Sequence, residues 1–145
     1  MTETSKLIMQ TLQAQWSLVS PGVNDIYWVD TRVETLDFAK VSKNFVISCY
    51  SPTGPSTTVP LSREAWLKTE HVIVDLIVKV IGTVDDAVTV RENVRKEVER
   101  IIHANELNMP GLADAPVTRE PYQVEGPDLV RVSIQISCRS FQIKS

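Results

Sequence analysis

The residues of this chain best equipped for chemistry are few and scattered. Its two histidines, His71 and His103, stand at the start of an apolar run and at the end of a helical one. Neither has a second histidine or a cysteine at ligand spacing, so they lack the clustering that a metal site needs. His103 reads instead as a cation completing the C-terminal end of a helix. Serines are abundant, yet none lies in a Gly-x-Ser-x-Gly turn that would expose a nucleophile. The glycine stretches SPTGPS and VIGTVDD lack the glycine pair and the Lys-Ser/Thr ending of a phosphate loop. Cys49 and Cys138 fall at core-facing strand positions and read as small buried hydrophobes, with a disulfide between neighbouring strands as the lesser alternative. The carboxylate that stands out is Asp75, inside an apolar run, with Lys79 four residues on along the same face. Arg131 and Arg139 occupy the polar face of another alternating segment, and opposite charges on neighbouring strands can pair. These four residues have three readings: a solvated sheet face, a polar surface that meets another subunit, or a catalytic site around Asp75. The first is the default, because surface ion pairs add little stability.

The elements that must position these residues follow from periodicity. Residues 72–81, VIVDLIVKVI, alternate at the two-residue period of a strand. Val72, Val74, Leu76, Val78 and Val80 form a wholly apolar face, and Ile73, Asp75, Ile77, Lys79 and Ile81 a mixed one. Gly82 and Thr83 break the run. A helix follows, with Ala87, Val90, Val94, Val98, Ile101 and Ile102 spaced by threes and fours. Thr83 and Asp86 have capping-box spacing, and Asp85 and Asp86 suit the positive end of the helix dipole. Within RENVRKEVER, Glu92–Lys96 and Arg95–Glu99 read as ion pairs on a solvated face.

The remaining segments complete one domain over residues 1–145. Residues 4–18 predict a helix with Leu7, Ile8, Leu12, Gln15, Trp16 and Val19 near one stripe, capped by Thr4 or Ser5 and ended by Pro21 and Gly22. Residues 25–33 and 44–50 predict two strands, expected to pair antiparallel across a short link. Residues 51–61, rich in proline, serine and threonine, predict a mobile loop, since proline cannot donate to a central ladder. Residues 62–68 predict one or two helical turns from Ser62, with Trp66 plugging an edge of the core. Residues 105–128 predict an irregular arm, with Val117, Tyr122 and Val124 in a short edge strand. Residues 129–144 alternate most cleanly, with Val130, Val132, Ile134, Ile136 and Cys138 inward. The expected fold is therefore α+β: a mostly antiparallel sheet packed on one face by two main helices, with long proline-rich loops.

Composition narrows the function. A net charge of −3 does not supply the basic face of a nucleic-acid binder. The longest apolar run carries Asp75 and Lys79, too polar to span a bilayer. The start MTETSKLIMQ lacks a basic lead and an apolar middle, so synthesis and retention in a cytoplasm are expected. No motif calls for a cofactor.

Taken in order, these elements, with VIVDLIVKVIG, DDAVTVRENVRKEVERIIHA and LVRVSIQISCRSFQI at their centre, resemble the tail terminator and tail-completion proteins of long-tailed bacteriophages and related archaeal viruses. The resemblance is one of element order across most of the chain, with no invariant motif matched. It implies a small α+β protomer that is not an enzyme and that assembles as a ring, typically a hexamer. The ring caps the finished tail tube, stops its polymerisation and joins it to the head-side connector. The implied partners are further copies, a tail-tube protein and a connector protein, with no membrane and no direct nucleic-acid contact. The implied location is the tail or neck of a virion made in a host cytoplasm. Residues expected at subunit or partner contacts are Asp75, Lys79, Arg131, Gln135, Arg139, Pro52, Thr53, Pro55 and Tyr122. Arg131 and Arg139 stay open as lumen-lining residues. The alternative is a small ligand-binding or enzymatic α+β domain of the cytoplasm, which predicts a deep apolar pocket with convergent polar groups.

Overall fold

A computed structural model describes residues 3–32, 36–37, 40–51, 57–60, 65–105, 117–119, 123–124 and 129–143. The fold is α+β. In chain order it comprises α1 (Glu3–Gln15), β1 (Ile26–Val29), β2 (Phe45–Tyr50), β3 (Thr57–Pro60), β4 (Ala65–Lys79), α2 (Val84–Ala104), β5 (Val117–Arg119), β6 (Gln123–Val124) and β7 (Leu129–Ile143). The sheet runs β1-β2-β4-β7-β5, with β3 added to β4 and β6 to β7. Its spine is the antiparallel β4–β7 pair, each strand 15 residues long and matched from Ala65 opposite Ile143 to Lys79 opposite Leu129.

The apolar alternation of β4 and β7 places one face of this spine under both helices. Val72, Val74, Leu76, Val132, Ile134, Ile136 and Cys138 join Ile47 and Cys49 of β2. Ile8 and Leu12 of α1 and Val94, Val98, Ile101 and Ile102 of α2 close over them. The 3.6-residue spacing of the helices and the two-residue spacing of the strands meet in this cluster.

Several local expectations give way to longer-range contacts. β1 pairs β2 in parallel, not antiparallel. The connection between them, residues 30–44, is fifteen residues long, enough for the crossover that a parallel pair requires. Residues 65–68 are not helical turns; they continue β4, held by β3 on one side and β7 on the other. Trp66 stands opposite Pro60 and Gln142, and its expected core contact lies outside the described side chains. α1 stops at Gln15, so Val19 leaves the expected stripe and is 92% exposed. α1 also begins before Thr4 and Ser5, and the position that caps it lies outside the described residues.

Within the expected loop over 51–61, Thr57–Pro60 forms an edge strand on β4, and residues 52–56 and 61 lie outside the described residues. Within the expected arm over 105–128, β5 and β6 pair with β7. Tyr122, expected in an edge strand there, lies outside the described residues.

Candidate functional site

The second face of the sheet carries the polar residues that the sequence singles out. On β4 it presents Ile73, Asp75, Ile77 and Lys79, and on β7 Arg131, Ser133 and Gln135. This face is not a bare polar surface. Asp75 is fully buried. Ser133, directly opposite on β7, donates its hydroxyl to Asp75 Oδ1. Arg131, one step along the same face, reaches diagonally so that Nη2 lies 3.0 Å from Asp75 Oδ2. A carboxylate taken out of water needs such charge-assisted partners, since its desolvation cost is several kcal/mol.

The crossover between β1 and β2 supplies part of the cover. Leu36 and Val41 pack on Val46 and Ile77. Lys79 turns away from Asp75 and donates Nζ to the carbonyl of Val41. Ser48, the β2 neighbour of Asp75 and also buried, donates to the carbonyl of Thr31. Arg32 lies over the Tyr50 ring at 5.7 Å from its centroid, a cation–π distance. One polar row therefore crosses three strands, from Ser48 through Asp75 to Ser133, beneath this connection.

The sequence-predicted residues thus divide. Asp75 and Arg131 are brought together, and Lys79 is committed to the crossover. Gln135 remains exposed on β7. Arg139 stands opposite Thr69, six residues along β4 from Asp75, so the register separates it from that carboxylate. Pro52, Thr53, Pro55 and Tyr122 lie outside the described residues. Elsewhere on this face His71 Nδ1 is 3.0 Å from the Ser137 hydroxyl, its cross-strand neighbour.

A second polar network joins the helices. Arg91 and Arg95 of α2 are buried, not solvated. Arg95 binds Glu92 at 2.6 Å and Glu99 at 2.7 Å, and Arg91 binds Glu92 at 2.9 Å. Glu92 thus turns to these two arginines, and the expected Glu92–Lys96 pair does not form among the described residues; Lys96 is exposed. Burial by itself would raise the Glu92 carboxyl, but hydrogen bonds from Arg95 and Arg91 outweigh it and hold the group below its ordinary value. Glu97 behaves alike: burial works upward, while Arg100 and Ser17 win and lower it. Ser17 donates both its backbone N–H, at 3.1 Å, and its hydroxyl, at 2.9 Å, to Glu97 Oε1. Gln15 and Asn105 exchange amide hydrogen bonds of 3.1 and 2.9 Å. These contacts pin the end of α1 to the C-terminal half of α2.

Sequence reasoning missed the burial of Arg91, Arg95 and Glu97. Their place on the flank of the apolar stripe was the available signal, since Arg91 and Arg95 adjoin Val90, Val94 and Val98 on a helical wheel. The thiols behave as expected of a buried pair. Cys49 and Cys138 are free, and burial pushes each up to about 12, with Asp75 adding to Cys49 and Glu70 to Cys138. The described residues hold no group of three or more metal-ligating side chains. No described helix is long and apolar enough to cross a membrane. No protein-family model matches the chain, and no curated protein matches it in sequence.

Proposed function

We propose that this chain is a structural assembly protein of a viral tail or neck, similar in role to a tail terminator and acting without catalysis. In this reading copies form a ring, a hexamer on the pattern of the family it resembles. The ring caps the tail tube and joins it to the head-side connector, in a virion made in the host cytoplasm. The observation that supports it is the β4–β7 ribbon. Its strands run roughly 50 Å at the usual rise per residue. β2 accompanies β4 only from Ile73 to Val78, so Ala65–Val72 overruns it, paired throughout with β7 and over Trp66–Thr69 with β3. Among the described side chains, the buried apolar cluster reaches Val72 and Cys138. A two-stranded ribbon carried past β2 is suited to lie on a neighbouring molecule, and repetition of such a contact closes a ring.

Light scattering and negative-stain imaging test the reading. A ring-shaped oligomer that seats on the ends of purified tail tubes and halts their growth is the expected result. A strict monomer at high concentration in the presence of tail tubes overturns it.

A further inference from the structure

The solvent-facing row of α2 is polarised along its length. It reads Asp85, Thr89, Asn93, Lys96, Arg100 and His103, all exposed and spaced by threes and fours. Asp86 adds a second acid at the first end. Part of this order belongs to the helix itself, because carboxylates suit its N-terminus and cations its C-terminus. The dipole does not account for the aliphatic side chains beside each charged end. At the acidic end, the turn out of β4 presents Ile81 at 66% and Val84 at 41% exposure. Half-buried Val80 and Val88 extend this patch down to the core. At the basic end, the segment after α1 presents Val19 beside half-buried Leu18. Ser17 fixes that segment to Glu97 and Arg100 of α2.

Aliphatic residues exposed singly need no explanation. Here each end of one helix carries aliphatic side chains fringed by charge, and the charges are opposite in sign. The helix has 21 residues, so its ends lie about 30 Å apart and cannot meet within one molecule. We propose that they meet between molecules. Ile81, Val84, Asp85 and Asp86 of one copy dock against Val19, Leu18 and Lys96 of the next, Arg100 staying on Glu97. The two surfaces differ, so the contact is head-to-tail and repeats from copy to copy. This rests on the assembly reading above and adds which surfaces form the seam.

Two variants of the full chain test it. Ile81→Asp with Val84→Asp blocks the acidic end; Val19→Asp with Lys96→Glu blocks the basic end. All four positions are exposed, and circular dichroism and thermal melting of each variant should match the parent. Light scattering should show an oligomer for the parent, a 16.3 kDa monomer for each variant alone, and a heterodimer for their equimolar mixture. The mixture is decisive, because each variant keeps one intact end of opposite kind. A mixture that stays monomeric, or one variant that dimerises alone, overturns the seam. Parent rings that persist in both variants also overturn it, while leaving the tail-assembly reading standing. An oligomer that obeys the mixing rule but ignores tail tubes upholds the seam and removes the viral role. A parent that stays monomeric throughout removes both.

Discussion

Asp75 is held by two partners on one neighbouring strand, and the cost of losing either differs. Removing Ser133's hydroxyl leaves the ion pair in place. Removing Arg131 leaves a fully buried carboxylate without its cation. Arg131→Met should therefore destabilise the protein by about 3–5 kcal/mol, as breaking one side of a buried pair does. Asp75→Leu combined with Arg131→Met should recover most of that loss, because an apolar pair carries no desolvation cost. Chemical denaturation of the two single variants and the double variant measures the coupling. Glu97 predicts a pH effect. Its folded value lies below its unfolded one, so the stability it contributes is present above the ordinary glutamate range and disappears as pH falls through the depressed folded value. Glu97→Gln should flatten that acid limb in melts taken from pH 6 downward. The thiols give the opposite sign. With both raised to about 12, they stay protonated at neutral pH, and their contribution fades as pH climbs from the ordinary thiol value toward the folded one. Native protein should resist a thiol reagent at pH 8 and react at both cysteines once unfolded.

Among the elements, the β4-to-α2 junction has the most local control. Gly82 holds φ +87°, a left-handed conformation that a Cβ strains, and Thr83 accepts the amide of Asp86 at 3.1 Å. Thr83→Ala should cost roughly 1 kcal/mol by loss of the cap. Gly82→Ala should cost a similar amount, about 1 kcal/mol, through backbone strain. Thermal melts of the two variants give both values. This junction was legible in the sequence because every cause lies within a few residues: a breaking glycine, a capping threonine, two acids and a new period. β7 and the apolar face of β4 were legible for the same reason. The lower half of β4 was not. SREAWLK carries a capping serine and helix formers, and its strand state comes from partners in β3 and β7 that are remote in sequence. The parallel pairing of β1 was hidden likewise, since the path of residues 30–44 decides it and composition does not. Arg131 was recognisable as a partner for Asp75 only on the assumption that their strands were neighbours. The burial of the pair depended on a cover that no periodicity announces.

At the scale of the whole molecule, the sheet divides the protein into a helix-covered face and a face partly roofed by a connection. Asp75, Lys79 and Arg131 are turned inward and hold the protomer together. Among the described residues, the exposed aliphatic side chains at the two ends of α2 are the surfaces that the proposed seam uses. The crossover tests this division. Val41→Asp places a charge against Val46 and Ile77 and should lower the melting temperature of the protomer. Lys96→Glu should leave melting unchanged and act on association alone. Calorimetry and light scattering on the same samples separate the two effects.

The pairing of β4 with β7 also has a consequence during translation. The middle strand of the sheet is made early, and the strand that completes its ladder comes only after Leu129. Until then a 15-residue strand edge, apolar in its second half, stands open while the ribosome completes the chain. A nascent chain stalled before β7 should therefore be captured by holding chaperones or precipitate, and release of the stall should restore soluble protein. Ribosome-bound intermediates of graded length, assayed for chaperone binding, would show capture ending as β7 emerges.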